Sequence, residues 1–310
     1  MNADKTIKNI LDNLALVIRG KNKVLYDIII ALLSGVNVLL EDMPGTGKTT
    51  LAKGLARSIQ GKFRRIQFTP DLLPADVLGS SIYNPTKGKF FFKEGPVFTN
   101  ILLADEINRA SPRTQSSLLE AMSERQVTID GVRYELPNFF LVIATQNPIE
   151  YHGTYPLPEA QLDRFGIRLS IGYPGMDDEI DIFYRQNTIH PLDNLKPVAE
   201  IADIIRLQEE VKKVKVSRPV AEYIAALAEA SRKEPELKLG ISTRCTLMMY
   251  RIAQASAFME GRDYATPDDV KALAVEVIAH RLVLDTKAKY SGITKEQIVE
   301  KLLSGTPVPT

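Results

Sequence analysis

Residues 38–49 read Val38-Leu-Leu-Glu-Asp-Met-Pro-Gly-Thr-Gly-Lys-Thr49, an apolar segment followed by a glycine-containing loop that ends in Gly-Lys-Thr. The segment 36–40, apolar except for Asn37, is typical of a buried parallel strand, and Leu51, Leu55 and Ile59 follow at helical spacing. Glycine lets backbone N–H groups approach an anion, and the helix that follows directs its N-terminal dipole at the same point. This strand, loop and helix predict a site for the phosphates of a nucleotide.

Individual loop residues have separate predicted tasks. The residues expected to surround the phosphates are Pro44, Gly45, Thr46, Gly47, Lys48, Thr49 and Thr50. Lys48 supplies a positive charge for the β- and γ-phosphates, and the Thr49 hydroxyl is a ligand for Mg²⁺. The usual pattern opens with a glycine that four residues separate from the Gly-Lys pair, whereas this loop has Asp42 there. The chain lacks the Asn-Lys-x-Asp sequence that reads guanine and the Leu-Ser-Gly-Gly sequence of transporter ATPases, which argues against both classes.

A second apolar run, residues 101–104, ends in Asp105 and Glu106. A carboxylate at the tip of a strand beside the phosphate loop can hold Mg²⁺, and the next one can orient and deprotonate a water molecule. Taken alone, the pair could equally be two solvated acids after a strand. Combined with the phosphate loop, the pair predicts hydrolysis of a nucleoside triphosphate. Asp105 and Thr49 would bind the metal, and Glu106 would activate the water.

Three later segments complete a recognisable order. The segment 139–145, predicted as a third buried-type strand, is followed by Gln146-Asn147-Pro148. Leu162-Asp163-Arg164-Phe165 and Gly240-Ile241-Ser242-Thr243-Arg244 come after it. With Ala104-Asp-Glu-Ile-Asn-Arg-Ala110 and Gln67-Phe-Thr-Pro-Asp-Leu-Leu-Pro-Ala-Asp-Val-Leu-Gly79, the chain resembles an AAA+ ATPase, specifically of the MoxR family, over about residues 10–280. The family's loop commonly tolerates a residue other than glycine at the position of Asp42.

The resemblance implies roles for three further residues. Asn147 is similar to sensor 1, an amide that bonds the γ-phosphate or the water; a cap on the turn at Pro148 is the alternative. Arg164 resembles the arginine finger, which acts on the nucleotide of the neighbouring subunit; a local ion pair with Asp163 is the alternative. Arg244 resembles sensor 2, reaching from the lid towards the phosphates, and Arg19 falls in the family's adenine-side loop.

The same resemblance implies the assembly and the partners. A finger that acts in trans requires head-to-tail subunits, which close into a ring, and the family suggests a homo-hexamer. ATP and Mg²⁺ are the expected ligands. The implied activity is a chaperone-like maturation of protein complexes or insertion of metal cofactors, with a von Willebrand factor A domain protein as the usual partner and a protein client. A magnesium-chelatase-like motor subunit and a DNA-remodelling or helicase-type ATPase are the alternatives.

Composition restricts the cellular setting. The 310 residues are 45% hydrophobic and 25% charged, with a formal net charge of +1 and one cysteine. A neutral balance gives no reason to expect nucleic acid as a partner, and the single Cys245 permits no internal disulfide. No apolar run approaches 18 residues and no signal peptide is evident, so we expect a cytoplasmic protein with no membrane span. His152, His190 and His280 have no spacing suited to a metal.

Two parts are expected along the chain. Residues 1–190 alternate apolar strands with helices, which predicts an α/β core with a parallel sheet, helices on both faces and hairpin insertions. Residues 191–310 show only helical spacing and predict an all-α lid, in which strands are absent after about residue 195. The predicted lid helices cover residues 198–213, 219–232, 243–259 and 267–282, and the linker falls within 173–197.

Two hairpins are predicted inside the α/β core. Residues 125–136 carry Asp130-Gly131, a strong signal for a two-residue turn. Residues 80–93 form the second, with Tyr83 and the aromatic run 90–92. These aromatics either cover an edge of the core or stand exposed to engage a protein client.

Overall fold

The structure, a computed structural model, describes residues 3–148, 153–186 and 191–309. In chain order, its strands are β1 (Val38–Glu41), β2 (Phe63–Gln67), β3 (Gly79–Asn84), β4 (Lys89–Glu94), β5 (Ile101–Asp105), β6 (Gln126–Ile129), β7 (Val132–Glu135), β8 (Leu141–Gln146), β9 (Ile167–Leu169), β10 (Leu237–Leu239) and β11 (Val283–Leu284). Its helices are α1 (Ala3–Val17), α2 (Asn22–Ser34), α3 (Lys48–Ser58), α4 (Pro74–Leu78), α5 (Pro112–Glu124), α6 (Glu159–Leu162), α7 (Met176–Gln186), α8 (Ile201–Val211), α9 (Arg218–Lys233), α10 (Thr243–Met259), α11 (Pro267–Lys271), α12 (Ala274–Ile278), α13 (Thr286–Tyr290) and α14 (Lys295–Gly305). Among these residues, no helix is both long enough and apolar enough to cross a membrane.

A five-stranded parallel sheet of order β2-β5-β8-β1-β9 forms the centre of the first part. β8 therefore lies between β1 and β5, and the register pairs Glu41 with Gln146 and Leu103 with Ile143. Because all strands run in one direction, their carboxyl ends meet at one edge of the sheet. The loop after β1 and the polar ends of β5 and β8 consequently meet there, as the predicted doubly wound α/β core requires.

Alternate residues of the strands face two separate cores. Val38 and Leu40 pack in one apolar cluster with helices α1, α2 and α3, whereas Leu39 packs in the other with residues of α5. All three side chains are fully buried. The first cluster continues without interruption into α8, α9, α10 and α14, so the second part of the chain is joined to the sheet through a shared apolar interior.

The second part is helical as predicted, with two differences. Helices α8, α9 and α10 fall on the predicted segments, but β10 and β11 pair antiparallel, so the expectation that strands stop near residue 195 was wrong in this detail. The segment 267–282 is also not one helix, because Leu273 leaves helical geometry (φ −122°, ψ 11°) while its side chain is buried. Burial of Leu273 outweighs the local helical spacing that suggested a continuous helix.

The predicted linker contains an element that the sequence did not reveal. The eleven-residue helix α7 occupies Met176–Gln186, inside the stretch read as turn-rich. The predicted boundary between the two parts, residue 190, lies outside the described residues, so it stays a prediction.

Both predicted hairpins are present. Of the aromatic residues in the β3–β4 hairpin, one packs against the core and the others are exposed. Asp130 (φ 50°) and Gly131 (φ 78°) form the two-residue turn between β6 and β7. In the β3–β4 hairpin, the Phe92 ring stacks on Tyr134 of β7 at 4.0 Å between centroids and packs against the core. Phe90, by contrast, is 72% exposed. Tyr83 and Phe91 are also exposed.

Candidate nucleotide site

The loop after β1 borders a cavity of about 370 Å³ at the carboxyl edge of the sheet. Gly45 (φ 84°) and Gly47 (φ 92°) adopt backbone conformations that side chains disfavour, which explains why glycine is needed at both positions. Of the predicted site residues, those that line the cavity are Pro44, Gly45, Gly47, Lys48, Thr49, Thr50, Asp105, Glu106 and Asn147. The loop and the acids, which the sequence separates by more than 50 positions, therefore face one space.

Lys48 is folded onto its own loop. Its Nζ donates to the backbone carbonyls of Asp42 (2.6 Å) and Met43 (2.9 Å). Burial lowers the pKa of Lys48 below its ordinary value, while the charges of Asp42, Asp105 and Glu106 oppose this shift. Neutral carbonyls are weaker acceptors than phosphate oxygens, so a nucleotide can replace them at the ammonium group.

Thr145, at the end of β8, connects the two acids. Its hydroxyl donates to Asp105 Oδ1 (2.6 Å) and accepts from the backbone N–H of Glu106 (2.8 Å). Asp105 Oδ2 accepts from Arg65 of β2 at 2.6 Å. Sequence reasoning missed Thr145 and Arg65, although each is polar in a strand whose end faces the predicted edge.

Glu106 begins a short 3₁₀ turn with a left-handed backbone (φ 56°). Its Oε2 accepts from Gln67 Nε2 (2.6 Å) and from Arg109 Nη1 (2.9 Å). β2 and the 3₁₀ turn thus hold the carboxylate at the rim of the cavity. Gln67 was quoted in the motif that carries the resemblance, but its contact with Glu106 was not foreseen.

Asn147 follows β8, and β8 lies between the strands that precede the loop and the acids. The residue is 9% exposed and lines the cavity. This position is the one expected for an amide that bonds the γ-phosphate or the attacking water. The assignment of that role stays a prediction.

The donor set suits Mg²⁺. Asp105 and Thr49 bring a carboxylate and a hydroxyl to the cavity, and Mg²⁺ favours such oxygen ligands, completed by substrate phosphates. No cluster of three or more histidine, cysteine or acidic residues suited to a metal occurs in the described part of the chain. His280 is buried against the backbone of Phe165, and His152 and His190 lie outside the described residues.

Arg164 lies at the opposite edge of the sheet. The N–H of Gly166 donates to Asn37 O, so the chain enters β9 at the amino end of β1. Arg164 donates to the carbonyl of Leu119 and, at 3.0 Å, to Ser123 Oγ at the end of α5. The alternative of a local ion pair with the preceding aspartate is not realised among the described contacts.

Asp163 instead connects to the second part of the chain. Its Oδ1 accepts from Arg281 Nε (3.0 Å) and from Ser242 Oγ (2.9 Å). Ser242 caps α10, and Arg244 lies in the first turn of that helix. Arg244 is exposed, and its backbone lies near the same edge of the sheet as Asp163.

Neither Arg164 nor Arg244 is among the described residues that line the phosphate cavity. Four residues of β1 separate the two edges, a span of about 13 Å at about 3.3 Å per residue. Arg244 is therefore not placed at the phosphate cavity of its own chain, and its predicted role as sensor 2 stays a prediction.

A second cavity of about 310 Å³ adjoins the phosphate loop. It shares Gly45, Gly47 and Thr50 with the border of the first cavity, and its walls also include Thr46, Ile18, Arg19 and the segment 171–174. Arg19 Nε donates to Asp181 of α7 at 2.9 Å, which holds this helix over the cavity. The second cavity thus lies directly beside the loop that is expected to hold the phosphates.

The strand order, the loop after a central strand and the acids on a neighbouring strand define a P-loop nucleoside triphosphatase of the AAA+ class. Residues 37–167 match the family described as "ATPase family associated with various cellular activities (AAA)", and residues 229–302 match the AAA lid domain.

Relatives and a solved structure are similar over nearly the whole chain. The Bacillus subtilis protein YeaC is 48% identical over 94% of this chain and 92% of its own length. Chaperone MoxR1 of Mycobacterium tuberculosis is 39% identical over 98% of this chain and 82% of its own length. A crystal structure of a Cytophaga hutchinsonii protein, provisionally assigned as an ATPase, superposes with a TM-score of 0.92 at 38% identity, covering 99% of this chain and 96% of that one. The chain belongs to the MoxR family of AAA+ ATPases.

Proposed function

We propose that this ATPase works as a ring, most simply a homo-hexamer, that uses ATP hydrolysis to remodel other proteins in the cytoplasm. The observation that carries the proposal is the separation of Arg164 from the phosphate cavity of its own chain. Lys48, Asp105 and Glu106 border one cavity, whereas Arg164 lies at the far edge of the sheet. Arg164 therefore serves a neighbouring subunit, and Arg244 on the same edge does so too.

Within one site, each group has a distinct task. The loop N–H groups and Lys48 hold the phosphates, and Asn147 orients the γ-phosphate or the water. Glu106 accepts the proton of the attacking water. Asp105 and Thr49 hold Mg²⁺, which neutralises charge on the phosphates when it is bound.

A mixing experiment tests the ring. Lys48→Ala removes the chain's own phosphate site and keeps its arginine, whereas Arg164→Ala removes the arginine and keeps the site. Arg164→Ala alone should lose about 10³-fold of the turnover or more, because a trans arginine contributes about that much. Lys48→Ala alone should be inactive, because none of its subunits holds the phosphates. An equimolar mixture should recover up to about one quarter of wild-type turnover, since random assembly pairs an intact site with an intact arginine at one junction in four. A mixture as inactive as its components would contradict action in trans.

The β3–β4 hairpin is the proposed contact for a client protein. Phe90 and Phe91 are 72% and 48% exposed, and two exposed aromatic rings on one hairpin suit apolar protein segments. Because Phe92 packs on Tyr134, replacing it would damage the fold and confuse the test. The double variant Phe90→Ser and Phe91→Ser should keep basal ATPase activity and lose client-dependent effects. Loss of basal activity without unfolding would refute a purely client-binding role.

We further propose maturation of protein complexes or insertion of metal cofactors as the role, with a von Willebrand factor A domain protein as partner. The support is the family resemblance. Glu106→Gln should bind ATP and turn it over far more slowly, so it serves as a trap: proteins captured with ATP are compared with those captured without it. Enrichment of a von Willebrand factor A domain protein only with ATP is the expected result. Strong stimulation of turnover by DNA would instead favour the DNA-remodelling alternative.

A further inference from the structure

Asp42 occupies the first position of the phosphate loop, where the usual pattern has glycine. The residue is 5% exposed, and it is not among the described residues that line the phosphate cavity. Its carboxylate points instead at the segment that follows β9. It accepts hydrogen bonds from Ser170 Oγ (2.8 Å) and from the backbone N–H groups of Ile171 (2.5 Å) and Gly172 (3.0 Å).

These bonds satisfy backbone groups that no strand satisfies. β9 ends at Leu169, so the N–H groups of Ile171 and Gly172 have no ladder partner, although Ile171 is only 3% exposed. Buried N–H groups need an acceptor, and a carboxylate is a strong one. The conformation of this short segment, including the left-handed Gly172 (φ 66°), is therefore fixed by a side chain of the phosphate loop.

The same segment forms a wall of the second cavity. Ile171, Gly172, Tyr173 and Pro174 border it together with Ile18. The cavity is continuous with the phosphate loop through Gly47 and Thr50. This wall brings Ile171, Tyr173 and Pro174 to a cavity that is also lined by Arg19, Lys21 and Glu179. Such a mixed lining beside a triphosphate site suits a purine base, which has apolar faces and polar edges.

We propose that Asp42 is a positioning residue that fixes the base-side wall to the phosphate loop and so sets how much the purine base contributes to nucleotide affinity. The inference rests on the proposed binding of ATP at this loop. It goes further by assigning the base-dependent part of the affinity to one carboxylate that does not touch the phosphates.

The test compares two ligands that differ in the nucleoside only. ADP and inorganic pyrophosphate, each with Mg²⁺, are titrated calorimetrically into the wild type and Asp42→Asn. Asparagine has the same size but turns an N–H₂ group towards a backbone N–H, so the wall loses at least one of its three bonds. We expect ADP affinity to fall about tenfold, a loss of about 1.4 kcal/mol, and pyrophosphate affinity to change less than twofold. In turnover assays, KM for ATP should rise by a larger factor than kcat falls.

Two further variants keep the test decisive. Asp269→Asn removes another buried carboxylate, which pairs with Arg262 in the second part of the chain, and should leave the ratio of ADP to pyrophosphate affinity unchanged. Ser170→Ala removes one donor and leaves the carboxylate paired, so it should weaken ADP about two- to threefold even if Asp42→Asn fails to fold.

If Asp42→Asn lowered the affinities for ADP and pyrophosphate by the same factor, the proposal would be overturned, because Asp42 would then act on the phosphate loop alone. Unchanged ADP affinity in both Asp42→Asn and Ser170→Ala would overturn it as well. A wild-type protein that binds neither ligand would refute the proposed function itself, an outcome distinct from both.

Discussion

Replacing Asp163 by asparagine removes the charged partner of Arg281 at the contact between the sheet and the helical part. The Arg281 side chain is 2% exposed and that of Asp163 is 19% exposed, so the guanidinium would remain in a poorly solvated place. Leaving one member of a buried ion pair unpaired costs about 3–5 kcal/mol. Arg281 also donates to the backbone carbonyls of Phe165, Gly166 and Val277, and asparagine retains one acceptor oxygen. We therefore expect the free energy of unfolding of Asp163→Asn to fall by about 3 kcal/mol, the lower end of this range.

Thermal unfolding measures this loss. At about 2 °C per kcal/mol, the lower figure for large domains, Tm should fall by about 6 °C. The double variant Asp163→Leu with Arg281→Met should recover part of this loss, because an apolar pair needs no desolvated charge. Recovery is incomplete because the carbonyls bonded by Arg281 and the hydroxyl of Ser242 lose their partners. Glu229→Gln serves as the control, because its partner Lys233 is exposed and such surface pairs contribute little to stability. A Tm for Asp163→Asn within 1 °C of the wild type, or no recovery in the double variant, would refute the reasoning.

Four further outcomes are expected. Burial raises the pKa of the Cys245 thiol to about 11. Iodoacetamide at pH 8 should therefore label Cys245 only after the protein unfolds. Labelling of the native protein at the rate of a free thiol would contradict the burial of this side chain. Burial and the neighbouring Arg281 lower the pKa of His280 well below its ordinary value. Below about pH 6.5 the unfolded chain is protonated at His280 and the folded chain is not, so the free energy of unfolding falls as the pH drops. His280→Gln should therefore reduce the decrease in Tm between pH 7.5 and 5.5. A decrease in Tm as large as that of the wild type would count against this explanation. Gly47→Ala should weaken ATP binding about tenfold, because φ is 92° and a Cβ would lie 3.1 Å from Ile18 Cδ1. Its control, Gly305→Ala, meets no atom within 4 Å and should bind ATP normally. Phe92→Ser should lower Tm markedly and Phe90→Ser should not, since only the former ring stacks on Tyr134; equal shifts would show that the stacking contributes little.

The sequence by itself determined the local parts of the site. The loop from Pro44 to Thr50, the acids after the second apolar run and the Asp130-Gly131 turn each depend on neighbouring residues. Glycine at a positive φ, a polar residue where an apolar run stops and a two-residue turn are signals within a few positions of the chain. Because parallel strands end at one edge, even the meeting of the loop with Asp105 and Asn147 followed from these patterns.

Only the tertiary structure decided which side chains complete the site and which edge each arginine occupies. Thr145 reaches both acids because β5 and β8 pair in a particular register, and Asp163 meets Arg281 across 118 positions of chain. Asp42 found its donors in a segment about 130 positions away, and Phe92 is packed whereas its neighbour Phe90 is exposed. Register, strand order and packing of the helical part are set by burial summed over the whole molecule, and no short stretch of sequence contains that sum.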